Sequence, residues 1–142
     1  MLAFEVLPAL ADSVQDEELA EALREHLRET RAQSQRAEQA FRALGLEPSS
    51  NRSGPLAALA KQHDELAAKV VPPRLRDAFH AAAAAATEHL ELALYDATIE
   101  LARALGAPDD ATRPLEESRG EEERALARVE SERSRLAAEA VD

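Results

Sequence analysis

Residues Ala81–Gly106 read AAAAAATEHLELALYDATIELARALG, a run of strong helix formers closed by a glycine. Wound at about 100° per residue, the stretch gathers His89, Asp96, Glu100 and Arg103 into one narrow polar stripe. Glu88 and Glu91 do not join it. They share an arc with Leu92, Tyr95, Ile99 and Ala102 that the pattern predicts to be buried. A carboxylate taken into a core needs a cation, a hydrogen-bonding partner or a proton, because an unpaired buried charge is costly. One helix therefore predicts both a helical core and a polar centre enclosed within it.

The chain on either side divides at clear punctuation. Leu2–Val14 is a short apolar helix with Pro8 as its weak point. Ser13 followed by Asp16 has the spacing of a capping box ahead of a long helix over Asp16–Leu44. Its inward line is expected at Leu19, Leu23, His26, Thr30, Ala37, Phe41 and Leu44. Gly45 stops that helix, and GLEPSSNRSG is a polar loop. Pro55–Val70 is a shorter helix with Leu56, Leu59, His63, Leu66 and Val70 on one side. Pro72–Pro73 breaks the chain before a helix over Arg74–Leu105, which Gly106 and Pro108 close. The last helix starts near Asp109 or Asp110, whose carboxylates suit a helix N-terminus, and tolerates Pro114 near its first turn. Its inward line is Ala111, Leu115, Ser118, Glu122, Ala125/Leu126, Val129, Arg133, Leu136 and Ala140. Gly120 weakens it locally by about 1 kcal/mol relative to alanine. Long amphipathic helices on short loops predict an all-α antiparallel bundle with one extra short helix, in a single domain over residues 1–142.

Composition narrows the function. A formal charge of −11 argues against nucleic acid or an anionic membrane as partner. The chain has no cysteine, which removes disulfides, thiol chemistry and Cys-ligated zinc. No apolar run approaches the roughly 20 residues that span a bilayer. The opening MLAFEVLPALADSV lacks the basic start of a signal peptide, so a cytoplasmic location is expected.

Three helices place polar groups at mid-length in their apolar stripes. The second carries His26, Thr30 and Gln33 inward with Glu29 at the border; the fourth carries Glu88, Glu91 and Tyr95; the last carries Glu122 with Glu121 beside it. Carboxylates with imidazole inside a bundle are the usual way helices hold iron or manganese. Taken singly, each has a structural reading. His26 alone is a hydrogen-bonded core histidine, Glu88 and Glu91 pair with Arg133 or a partner subunit, and Glu122 reflects a phase shift at Gly120. His63 reads as structural and His89 as exposed. Asp77 and His80 lie about 16 Å along the helix from Glu88–Glu91 and read as a capping acid and a surface or interface histidine. Only the conjunction brings the metal reading level with the structural ones. The sequence has no phosphate-binding glycine loop, no HExxH and no nucleophile elbow.

The order of residues also resembles a known family. HLRETRAQSQRAEQAFRALG (His26–Gly45) is similar to the second-helix signature of the YciF/YciE-type ferritin-like stress proteins. RDAFHAAAAAATEHLELALYDATIELARALG (Arg76–Gly106) resembles that family's Arg-Asp-Ala start, alanine-rich middle, Glu-His-x-Glu core and following Tyr; EESRGEEERALARV matches more loosely. The resemblance runs from about Leu7 to Leu136. It implies a ferritin-like bundle, usually dimeric, and a dimetal centre with candidate ligands Glu29, Glu88, Glu91 and Glu122, His26 and Tyr95 being nearby. The chain departs from the pattern in its shortened first helix, where Glu5 is the sole acid, and in having no Glu-x-x-His anywhere.

Two readings follow. In the first, Glu29, Glu88, Glu91, Glu122 and His26 bind iron or manganese at low occupancy, at most about one ion per chain, because dimetal bundles ordinarily use four carboxylates and two histidines. Oxygen or peroxide would be the substrate. In the second, a metal-free bundle acts through dimerisation or partner binding. The first reading is preferred for residual metal binding, and the second for catalysis, where the missing ligands count against the first. A homodimer is expected in either case, because Leu90, Leu94, Leu101 and Leu105 form a second apolar side on the central helix.

Overall fold

A computed structural model describes residues 2–48, 54–70 and 72–140. Residues 49–53 of the polar loop and the side chains of Glu5 and Leu56 lie outside the described residues. The described residues form five helices: α1 (Leu2–Ser13), α2 (Glu17–Ala43), α3 (Gly54–Ala67), α4 (Pro73–Ala104) and α5 (Asp109–Glu139). None of them is long and apolar enough to cross a membrane.

Cross-helix ion pairs fix the directions. Arg135 reaches Asp16 at 2.6 Å, Arg128 reaches Glu29 at 2.9 Å and Arg36 reaches Glu121, so α5 runs antiparallel to α2. Arg103–Glu116 and Arg119–Asp96, both 2.8 Å, run α4 antiparallel to α5 in the same way. Helices α2 and α4 are therefore parallel, and the chain returns the length of the bundle between them through α3. Asp77 marks the shared end. Its Oδ2 accepts the Gln15 and Asp16 backbone N–H groups at 3.0 and 2.9 Å, tying the start of α4 to the start of α2.

The helix ends follow elementary capping chemistry. Asp16 is itself the N-cap of α2, accepting the Leu19 N–H at 2.9 Å. Ser13 is not part of a capping box; its hydroxyl donates back to the Leu10 carbonyl at 2.8 Å and closes α1. Arg135, bonded to Asp16, holds that carboxyl below its ordinary range. Gly45 and Gly106 adopt φ of 70° and 74°. Each ends its helix with a paired return of N–H groups, Leu46 to the Phe41 carbonyl and Ala107 to the Ala102 carbonyl, both at 2.9 Å.

The main core joins Leu7, Leu10 and Ala11 of α1, Leu19 and Leu23 of α2, Ala78–Ala85 of α4, and Leu126, Val129 and Leu136 of α5. Leu19 and Leu23 are fully buried, each worth about 1.5–3 kcal/mol over exposure. Alanines on α4 let its neighbours approach closely. A smaller cluster of Ala40, Ile99 and Leu115, with Tyr95 against it, lies towards the other end. On α2 the buried positions Leu19, His26, Gln33 and Ala40 recur every seven residues, the spacing that keeps one face on a neighbouring helix. The expected line through Phe41 and Leu44 fails: Phe41 stands one step past the seam, Leu44 is the C-cap beyond the end of the helix, and they are 44% and 40% exposed.

Candidate metal centre

The polar centre lies between the two apolar clusters. On α2 it follows Leu23, on α4 it follows Ala85, and on α5 it precedes Ala125 and Leu126. His26, Glu88, Glu91 and Glu122 each present one ligand atom, and the four atoms lie within 4.8 Å of one another. His26, Glu88 and Glu122 are buried, at 4%, 3% and 0% exposure, and Glu91 is partly buried. His26 Nε2 is 3.1 Å from Glu88 Oε1 and 3.8 Å from Glu122 Oε2.

The electrostatics follow from three carboxyl groups and one imidazole drawn together in a largely buried space. Burial opposes charge on His26, yet its hydrogen bond to Glu88 and the nearby Glu88, Glu91 and Glu29 charges raise its pKa above the ordinary value. Burial likewise opposes charge on Glu88, but bonding to the His26 ring outweighs it and the carboxyl sits below its usual range. Glu91 has no such partner. Burial, then the Glu88 charge, lift it to about 7. Glu122 is pushed far up, first by burial and then by Glu88 beside it. Near neutral pH the metal-free centre thus holds one ion pair, His26 with Glu88, beside carboxyl groups that resist ionisation.

That arrangement leaves polar capacity unused. His26 Nδ1, Glu88 Oε2 and both Glu122 oxygens are buried without a hydrogen-bond partner. Buried polar atoms normally find partners, so the three unpartnered carboxyl oxygens among them fit a cation. Carboxylate oxygens with one imidazole suit a divalent ion of the manganese or iron kind.

The remaining expected residues are placed differently. Glu29 is not one of the four; it accepts from Arg128 Nη2 at 2.9 Å, and its Oε2 lies 3.7 Å from His26 Nδ1. Tyr95 lies on the second cluster's side, where burial raises its hydroxyl to about 12. Thr30 donates to the His26 carbonyl at 2.8 Å. Arg133 is no partner of Glu88 or Glu91, since it points to Glu130 at 3.9 Å. His26 fills that role for Glu88 alone. His89 is exposed and near Glu130, as expected. His80, expected at the surface or an interface, is buried at 6% exposure, because α3 folds over it and His63 Nε2 meets its Nδ1 at 2.8 Å. His63 also stacks on Phe79, with ring centroids 5.1 Å apart.

Two arginines escaped the sequence reading. Arg128 bridges Glu25 and Glu29 at 2.7 and 2.9 Å. Arg36 bonds Glu121 and, through Nε, Ser118 Oγ at 3.0 Å, while Gln33 also donates to Glu121 at 3.3 Å. These pairs span α2 and α5 on either side of the centre. The Glu25–Glu29 spacing of one helical turn was the available signal, but nothing in the sequence of α2 named its cation on α5.

No curated protein matches the chain. Chains of solved structures do, among them the following two. YcfI from Rhodopseudomonas palustris is 32% identical over 91% of this chain and 82% of its own, with a TM-score of 0.87. The stress protein YciF of E. coli is 26% identical over 96% of this chain and 86% of its own, with a TM-score of 0.89. A model of the family described as a domain of unknown function, DUF892, matches residues 1–141. The chain belongs to that family and is of the YciF type.

Proposed function

We propose that this protein is a YciF-type stress protein that binds one divalent iron or manganese ion per chain through His26, Glu88, Glu91 and Glu122. The observation that carries the reading is the buried, unpartnered set of Glu88 Oε2 and both Glu122 oxygens beside the His26 ring. When bound, such an ion supplies electron exchange with oxygen or peroxide. The protein's own part is to hold the ligands. Glu88 is already ionised, and His26 turns Nε2 towards Glu88 and Glu122. The apolar clusters on both sides keep bulk water away. With one histidine and three carboxyl groups the set falls short of a full dimetal site. Native mass spectrometry of Mn²⁺-supplemented protein tests the reading. One ion per parent chain and none in His26→Ala is the expected result; an equal load in both overturns it.

The reading includes a cytoplasmic homodimer without nucleic-acid or membrane partners. A second, metal-independent role through that dimer is favoured by one observation: Leu94 and Leu101 of α4 and Leu105 at its C-cap are 50%, 64% and 86% exposed and repeat along one side of the helix. Uncovered apolar stripes of this kind tend to become interfaces. Sedimentation equilibrium of the parent and of Leu101→Glu checks it. A dimer converted to a monomer supports the interface, and a monomeric parent refutes it.

A further inference from the structure

The back of the His26 ring faces a charged group that is not one of the proposed ligands. His26 Nδ1 is buried without a hydrogen-bond partner. The nearest carboxylate oxygen on that side is Glu29 Oε2, at 3.7 Å. Glu29 is one turn along α2, with its side chain 21% exposed, and Arg128 of α5 fixes that same oxygen from the other direction at 2.9 Å. Arg128 is fixed in turn by Glu25 at 2.7 Å. A line of groups therefore runs from the surface to the ring: Glu25, Arg128, Glu29, His26.

We propose that Glu29 is a positioning residue for the metal centre and not a ligand, holding the His26 Nδ1–H so that Nε2 offers its lone pair to the ion. The proposal rests on the metal-centre reading and assigns Glu29 a different role from the one its place in the motif implied. Three considerations support it. Glu29 is bound to a guanidinium, which a ligand oxygen would have to leave. It approaches the ring nitrogen that points away from Glu88 and Glu122. A metal-bound histidine ordinarily donates its other N–H to a carboxylate or carbonyl, which fixes tautomer and ring orientation. The 3.7 Å separation is longer than a hydrogen bond, and a small rotation of either side chain closes it once Nε2 gives its proton up to an incoming ion.

Glu29→Gln, Glu29→Leu and Glu88→Gln, each in the full chain, separate the roles. Co²⁺ serves as the probe, because its visible absorption reports affinity and its paramagnetism shifts the imidazole N–H proton out of the crowded NMR region. Glu29→Leu leaves Nδ1–H without an acceptor and should weaken Co²⁺ binding by about 10–100-fold, the usual cost of losing such a partner. Glu29→Gln keeps an acceptor oxygen. It should lose much less and retain a slowly exchanging shifted N–H, whereas Glu88→Gln should abolish binding. Equal losses for Glu29→Gln and Glu88→Gln would make Glu29 a ligand and overturn the proposal. An unchanged affinity and N–H signal in Glu29→Leu would overturn it as well, leaving Glu29 only its ion pair. A parent that binds no Co²⁺ removes the metal centre itself. The contact is then read in metal-free protein on the acid side of the His26 titration, where the ring carries both protons. A downfield Nδ1–H in the parent that moves upfield in Glu29→Leu supports the contact, and one that does not move refutes it.

Discussion

Replacing Glu91 with glutamine imitates its protonated form and separates a ligand from a leftover charge. In the folded protein this carboxyl is raised from 4.5 to about 7, first by burial and then by Glu88. A group raised on folding binds more protons in the native state, so its contribution to stability is intact below the unfolded value and lost as pH climbs through the folded one. At about 1.4 kcal/mol per pH unit, ionising Glu91 within the fold costs about 3 kcal/mol. Glu91→Gln carries no such penalty. In chelator it should match the parent near pH ~4 and exceed it by about 3 kcal/mol near pH ~8, a shift of about 1.5 M in urea midpoint for a slope of about 2 kcal/mol per M. Glu91→Leu should move the same way, since exchanging buried ionic groups for apolar ones is often neutral or stabilising. Added Mn²⁺ should raise the parent's midpoint and leave both variants unmoved. A Glu91→Gln protein less stable than its parent in chelator near pH ~8 would refute the reasoning and place Glu91 in a structural ion pair.

Other perturbations have defined signs. His26→Leu strands the Glu88 carboxylate in the core and should cost about 3–5 kcal/mol at neutral pH, less in acid where Glu88 takes a proton; equal urea midpoints for parent and variant would exclude the ion pair. Asp77→Ala removes the acceptor of the Gln15 and Asp16 N–H groups and should destabilise by about 1–3 kcal/mol, an effect that a thermal melt resolves and Asp77→Asn largely avoids. Gly120→Ala fits, because an added Cβ meets nothing nearer than an Arg124 side-chain nitrogen at 3.6 Å; it should raise stability by about 0.5–1 kcal/mol, and a loss would show the helix strained there. His63 and His80 both have lowered pKa values, chiefly from burial. Their contribution is complete above 6.5 and falls away as pH drops below it, so hydrogen exchange of α3 should quicken selectively near pH ~5. Uniform quickening of all helices would disprove that link.

Much of this was legible from periodicity. Glu88 and Glu91 could be assigned inward from the 3.6-residue rotation of α4 alone, and Glu122 and Ser118 from that of α5. Glycines 45 and 106 announced their helix ends because only a left-handed residue closes that turn cheaply. What escaped depended on pairs of helices. The α2 line slipped at its end, where Ala40 and not Phe41 continues the seam and Leu44 is already the C-cap, beyond the last packed turn. Burial of His80 depends on α3 lying over it, and the role of Glu29 depends on an arginine 99 positions away. No pattern within one helix encodes either.

The protons held in the centre would make any metal uptake an exchange and not a simple addition. Without metal, His26 and Glu88 cancel each other's charge, while Glu122 and, below about 7, Glu91 remain neutral. A divalent ion would have to expel the His26 Nε2 proton and those of the carboxyl groups it engages. Each proton released makes apparent affinity fall about tenfold per pH unit of acidification. With two or three leaving together, a drop of one pH unit would empty a centre that was nearly full. The load carried by this bundle would then follow the acidity of its surroundings as closely as the supply of metal.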